Sequence, residues 1–262
     1  MHRKRSEIPL YEGEHQIKVV SWEVTRKCNF SCIHCYNNSG PNFPYELPLS
    51  KCYKLIDRIK EVDSIETLII TGGEPLYRKD IEDIVKYCRP KFEKLILQTN
   101  GYFIPSKSKD FLTNFDEIVI SIYGKPSTDI LFKRSYETRV LKSLETLKKL
   151  GIPFSISTVL TKINKDDMQY LYEFSKNAGA NMLLVQVLIP IGRGKLLEKF
   201  VCDPNEYKRI KEELKRIDKE GFIKFGGEQP CGGGSYFIEI DYRGNVSPTL
   251  FILLVKTYSK KA

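Results

Sequence analysis

The sequence has no apolar run long enough to cross a bilayer. Its longest, residues 250–255, is six residues, against about twenty for a membrane-spanning helix. The start, MHRKRSEIPL, is basic and lacks the hydrophobic core of a secretion signal. A cytoplasmic protein is therefore expected. Seven cysteines, an odd number with no export signal, argue against a disulfide framework. No internal repeat beyond an alternation of strands and helices is visible, and no low-complexity linker divides the chain. At 41% hydrophobic and 29% charged over 262 residues, wholesale disorder is excluded. The formal charge of +9 is read as a solvated, lysine-rich surface, since Lys and Glu alternate through 205–220. No RNA-binding signature accompanies it, so nucleic acid is not an expected partner.

Periodicity places strands at 17–23, 66–71, 94–99, 117–122, 154–160 and 181–188. Amphipathic helical stretches fall at 50–62, 80–88, 106–113, 136–150 and 165–178. The fourth is the clearest: Val140, Leu144 and Leu147 share one face, with Lys142, Glu145, Lys148 and Lys149 elsewhere. Gly151 and Gly179 mark helix ends. Six βα units predict a parallel sheet, and six fall short of the eight of a closed barrel. The expected fold is α/β, a partial (β/α)6 TIM-like barrel. It spans 17–200, preceded by an arm at 1–16. Residues 201–262 then carry a helix (205–220), a Gly-rich stretch, and a short β-hairpin from 236–240 and 245–247 turning at Arg243-Gly244.

Cys28, Cys32 and Cys35 follow the first strand at C-x3-C-x2-C spacing, at the strand end where such barrels keep their chemistry. Structural zinc and ordinary iron–sulfur sites use four protein ligands. Three thiolates leave one iron of a cubane open to a small molecule. Two alternatives stand beside this: a zinc site borrowing His34, Cys52 or Cys88, and unconnected buried cysteines.

The cysteine segment resembles the radical S-adenosylmethionine superfamily, and other motifs extend the resemblance across 17–195 in consistent order. They are Thr71-Gly72-Gly73-Glu74-Pro75, the strand ends at Thr99-Asn100-Gly101 and Ser121-Ile122-Tyr123-Gly124, Ser155–Val159 with Asn164, and Pro190-Ile191-Gly192-Arg193-Gly194. The resemblance implies a [4Fe–4S] cluster on the three cysteines, with S-adenosylmethionine chelating the open iron. Reduction then yields a 5′-deoxyadenosyl radical that takes hydrogen from a peptide or tetrapyrrole-type substrate. It implies that Gly72, Gly73, Glu74 and Pro75 receive the cofactor's amino group. It also places His34, Asn100, Ser121 and Arg134 against the cofactor. Arg193 reads as a contact to an anionic substrate group or as a surface turn, and an acidic ferredoxin or flavodoxin is the implied electron donor. Where the family often carries Asp, this chain has Tyr123.

Cys231 followed by Gly244 resembles the start of a SPASM or twitch extension, which binds auxiliary clusters. The position of its next cysteine is Thr249, and no cysteine follows. The extension is therefore read as vestigial, through loss of the auxiliary cluster or truncation near Ser247, with substitution by Cys202 and Cys88 the weaker account. Cys52 and Cys88 read as packing residues. A non-catalytic scaffold and a zinc-stabilised RNA-binding module are the competing functions.

Overall fold

A computed structural model describes residues 16–132, 137–226 and 233–248. The chain runs β1 (Val19–Glu23), α1 (Leu49–Lys60), β2 (Thr67–Thr71), α2 (Ile81–Cys88), β3 (Lys94–Thr99), α3 (Lys109–Leu112), β4 (Glu117–Ser121) and α4 (Pro126–Leu131). It continues through α5 (Glu137–Leu150), β5 (Phe154–Leu160), α6 (Met168–Ala178), β6 (Leu183–Val187), α7 (Pro204–Ile217), β7 (Ile223–Phe225), β8 (Phe237–Ile240) and β9 (Val246–Ser247).

One sheet takes in every strand, in the order β7-β6-β5-β4-β3-β2-β1-β8-β9. All neighbours are parallel except the terminal β8–β9 hairpin. Among the described residues no ladder joins β7 to β9, so the barrel is open, as the unit count predicts. Three features escaped periodicity. α4, of six residues, is too short to show a helical period. β7 has three residues, too few to show a period. β8 was expected as a hairpin strand, and it also pairs in parallel with β1, Val19 opposite Phe237 through Trp22 opposite Ile240.

Strand alternation sorts the side chains. Val20, Trp22, Leu68, Ile70, Leu95, Leu97, Ile118, Ile120, Ile156 and Val185 are fully buried against the helix layer. Each such side chain contributes about 1.5–3 kcal/mol. The opposite, concave face carries Ser21, Gln98, Ser121, Ser157 and Gln186, none of them fully buried. The helices supply the other half of the core, including Ile56, Ile84, Leu112, Leu147 and Leu171. Both predicted stops stand: Gly151 and Gly179 have positive φ, and Ile152 N and Ala180 N reach back to Leu147 O and Ser175 O at 3.0 Å. The stretch expected as a helix at 106–113 is shorter. A 3-10 turn at Ile104–Ser106 precedes α3, whose N-cap Ser108 accepts from Phe111 N. Among the described residues no helix is long and apolar enough to cross a membrane.

Candidate active site

The three cysteines lie on the long loop between β1 and α1. The loop pinches into a lobe where Cys28 N donates to Gly40 O (3.1 Å) and Gly40 N to Arg26 O (3.3 Å). None of the three is in a disulfide; Cys28 is buried, Cys32 and Cys35 half-buried. Phe30 N lies 3.4 Å from Cys28 Sγ and Asn100 Nδ2 3.9 Å from it. Donors aimed at sulfur favour its thiolate, the form that binds metal. Among the described residues, no three His, Cys, Asp or Glu side chains converge on a point that one ion could fill. The borrowed fourth ligands of the zinc alternative are engaged elsewhere. Cys52 is buried in α1, its thiol 3.4 Å from both Leu47 O and Arg78 Nη2. Cys88 is buried in α2. His34 packs between Tyr123 and Phe132, ring centroids 4.2 and 4.9 Å away.

The β2 turn explains its two glycines. Gly73 N donates to Thr25 O (2.7 Å) and Glu74 N to Lys27 O (2.9 Å), so the turn zips onto the cysteine loop. A Cβ on Gly72 would stand 2.3 Å from Thr25 O, and one on Gly73 2.4 Å from Lys27 O. The absent Cβ atoms therefore admit the backbone of the cysteine loop. Glu74 is fully buried. Its carboxylate accepts from Leu76 N (3.0 Å), Thr99 Oγ1 (2.7 Å) and Asn100 N (2.7 Å), binding the end of β2 to the end of β3. Asn100 passes the connection on: its Nδ2 donates to Asn29 Oδ1 (2.8 Å), beside Cys28. Pro75 is buried in the turn that follows.

Sequence reasoning missed several residues that hold this loop. Arg78 is buried, donating to Val24 O (2.7 Å) and Leu47 O (2.6 Å), the two stems of the loop, and pairing with Asp80. Glu46 accepts from Thr25 Oγ1 (2.8 Å) and Lys27 Nζ (2.6 Å). Glu23 accepts from Asn37 Nδ2, and Arg26 lies over the Tyr242 ring at 4.4 Å. No local motif marks these roles: the partners of Arg78 include two main-chain carbonyls, and several of the other contacts join separate parts of the chain. Arg193 donates from Nε to Cys32 O (2.8 Å) and from Nη2 to Ser39 O (2.5 Å), so it meets the cysteine loop. Ser121 ends β4 on the concave face, its Cα paired with that of Ser157. Asn164 ties the ends of β4 and β5 together, donating to Tyr123 O (2.7 Å) and Val159 O (2.9 Å). Arg134, Cys231, Thr249 and the 250–255 run lie outside the described residues.

Burial pushes the Cys28 thiol up to about 12, with the Glu74 charge adding to the rise and the Phe30 N–H opposing it. An unfolded thiol ionises near 9, so the folded iron-free chain keeps a proton that the unfolded chain releases. Stability from this group is complete below that lower value and is lost as pH climbs toward the upper one. Denaturant midpoints of the iron-free protein are expected to fall between pH 9 and pH 12. Cys28→Ser should flatten that fall; an unchanged slope would contradict the assignment.

Residues 22–175 match the family model of the Radical SAM superfamily. The AdoMet-dependent heme synthase of Methanosarcina barkeri is 30% identical over 214 residues, covering 79% of this chain and 60% of that protein. The AdoMet-dependent heme synthase of Oleidesulfovibrio alaskensis is 26% identical, covering 94% and 72% respectively. Among solved structures, Streptococcus suis SuiB bound to S-adenosylmethionine superposes with a TM-score of 0.76 at 17% identity, over 91% of this chain and 61% of SuiB. SuiB has also been solved bound to the precursor peptide SuiA, with the same TM-score. At that identity SuiB shows the fold alone. The chain spans 60% of the length of the M. barkeri relative. The family match covers more than half of the chain and takes in the cysteine loop, the Gly72–Gly73 turn and the strand ends that face them. This chain belongs to the Radical SAM superfamily.

Proposed function

We propose that this chain holds a [4Fe–4S] cluster through Cys28, Cys32 and Cys35, binds S-adenosylmethionine beside it, and is an enzyme that abstracts hydrogen from a tetrapyrrole-type substrate. The observation that carries this reading is the seating of the cysteine loop on the backbone of Gly72 and Gly73, with Asn100 beside Cys28. The donor set fits the group: three cysteines outside any disulfide on one closed lobe. When bound, the cluster and S-adenosylmethionine supply a reductively formed 5′-deoxyadenosyl radical.

The chain's own residues do the rest. Gly72–Pro75 present backbone to the cofactor's amino group, and Glu74 keeps that turn against β3. His34, Asn100, Ser121 and Arg134 are assigned to the cofactor's remaining groups. Residues 17–200 form the core that binds cofactor, and 201–262 carry the C-terminal helix and a vestigial extension. The concave face mixes Ser21, Gln98, Ser157 and Gln186 with Ile69, Ile96, Val119 and Leu184, which suits a substrate with both polar and apolar parts. The tetrapyrrole class follows from the heme synthase relatives. A peptide is the second reading, supported by SuiB and its precursor peptide. A net charge of +9 suits an acidic ferredoxin or flavodoxin as electron donor. None of the described cysteines is in a disulfide, which suits the reducing cytoplasm.

Anaerobic loading with iron and sulfide should give about four iron atoms per chain. Added S-adenosylmethionine and a strong reductant should then release 5′-deoxyadenosine. Cys32→Ala should lower that release by about a hundredfold or more, because a three-thiolate site has no ligand to spare. Full-rate cleavage by Cys32→Ala would end this reading. Deuterium appearing in 5′-deoxyadenosine from a labelled tetrapyrrole precursor, and not from labelled peptide, would identify the substrate class.

A further inference from the structure

The barrel's open arc leaves a mechanical problem. The cysteine loop grows from β1, and the turn after β6 lies five ladders away along the sheet. No strand pairing ties one to the other. Hydrogen bonds from residues 192–194 do so directly. Arg193 N donates to Cys35 O (3.0 Å), Nε to Cys32 O (2.8 Å) and Nη2 to Ser39 O (2.5 Å). One residue thus grips three carbonyls of the segment that carries two of the three cysteines. The flanking glycines bring it close enough. Gly192 has φ +55°, and a Cβ there would stand 2.2 Å from Tyr36 O; at Gly194 it would stand 3.0 Å from Ile189 O and 3.3 Å from His34 O. At Gly192 only a chain without a side chain can lie this near to 34–36, and at Gly194 the fit is tight.

A guanidinium suits the task. It stays charged, its planar fork reaches two acceptors at once, and charge-assisted bonds are stronger than neutral ones. Cys32 O also accepts from Cys35 N at 3.3 Å, so Arg193 grips the turn that sets the spacing of the two cysteines. We propose that Arg193 is a positioning residue that fixes the Cys32–Ser39 segment across the open mouth of the barrel, joining the β6 end to the cluster loop. The role rests on the reading of Cys28, Cys32 and Cys35 as cluster ligands. It assigns Arg193 to the protein's own loop in place of an anionic substrate group.

Hydrogen–deuterium exchange on the full chain, before and after anaerobic loading with iron and sulfide, tests it. In Arg193→Ala, amides of 28–40 should exchange about tenfold faster than in the parent before loading, while β2 and β3 keep parental rates. Arg193→Lys, which keeps the charge but not the fork, should recover part of the protection. After loading, the Arg193→Ala cluster should give a heterogeneous electron paramagnetic resonance signal where the parent gives one species. Parental exchange across 28–40 in Arg193→Ala overturns the proposal. If Arg193→Ala speeds exchange in β2 and β3 as well, Arg193→Lys decides: faster exchange confined to 28–40 supports the clamp, and parental exchange overturns it. The exchange before loading needs no metal. A parent that takes up no iron would therefore refute the cluster reading and leave the clamp measurement standing.

Discussion

Gly73→Ala is expected to cost the fold about 3 kcal/mol, the upper range for forcing extra volume into packed structure, and to abolish most iron uptake. The new Cβ would meet Lys27 O at 2.4 Å and Arg26 O at 2.8 Å. Both obstacles are main chain, so no side chain can rotate out of the way. Relief requires the β2 turn and the cysteine loop to separate, which breaks the bonds Gly73 N–Thr25 O and Glu74 N–Lys27 O. Gly40→Ala is the control within the same loop. Its Cβ would find only Ser31 Oγ at 3.5 Å, an ordinary contact, and it should change stability by less than about 0.5 kcal/mol. Denaturant melts and iron analysis of both variants decide the matter. A Gly73→Ala protein with parental midpoint and iron content would show that the turn and the loop are not locked together.

Glu74→Ala should destabilise the chain by about 4 kcal/mol, since it strips a buried carboxylate from three donors. Leu76 N, Thr99 Oγ1 and Asn100 N all lose their acceptor. The expected drop in thermal midpoint is about 10 °C for a domain of this size. Glu74→Gln should recover only part of this, because its amide nitrogen must face a donor where the carboxylate offers a second oxygen. A midpoint for Glu74→Ala within about 2 °C of the parent would sink the idea. The expected consequence for the site runs through Asn100, whose side chain bonds Asn29 next to Cys28. Freed from Glu74, the β3 end should no longer hold that contact.

The motif Gly72–Pro75 shows how far the sequence carries and where it stops. Adjacent glycines mark a close backbone approach, and that much is legible, because only glycine removes the Cβ. What approaches is not legible. The resemblance points to a ligand, and the loop of Thr25 to Lys27 is a second neighbour that the absent Cβ atoms admit. Glu74 is visible as a motif residue, but its bonds to Thr99 and Asn100 depend on β2 and β3 being neighbours in the sheet. Arg193 is the extreme case. Its acceptors Cys32 O and Ser39 O lie 161 and 154 residues earlier in the chain. They are also main-chain carbonyls, which every residue possesses and no residue type announces.

The same division runs through the fold. The six strands and their helices were readable because a strand packed on one side alternates, and α5 repeats its apolar face at Val140, Leu144 and Leu147. β7, with three residues, and the pairing of β8 with β1 were not, since a short strand shows no period and no local pattern names a distant partner. By itself the sequence determined the cysteine triplet, the order of the βα units and the openness of the barrel, all of which depend on spacing and periodicity along the chain. Only the tertiary structure decided what holds the cysteine loop in place. Gly73, Glu74, Arg78 and Arg193 act there through close backbone approach and main-chain hydrogen bonds between segments far apart in sequence, and residue type shows at most that something approaches, never which segment it is.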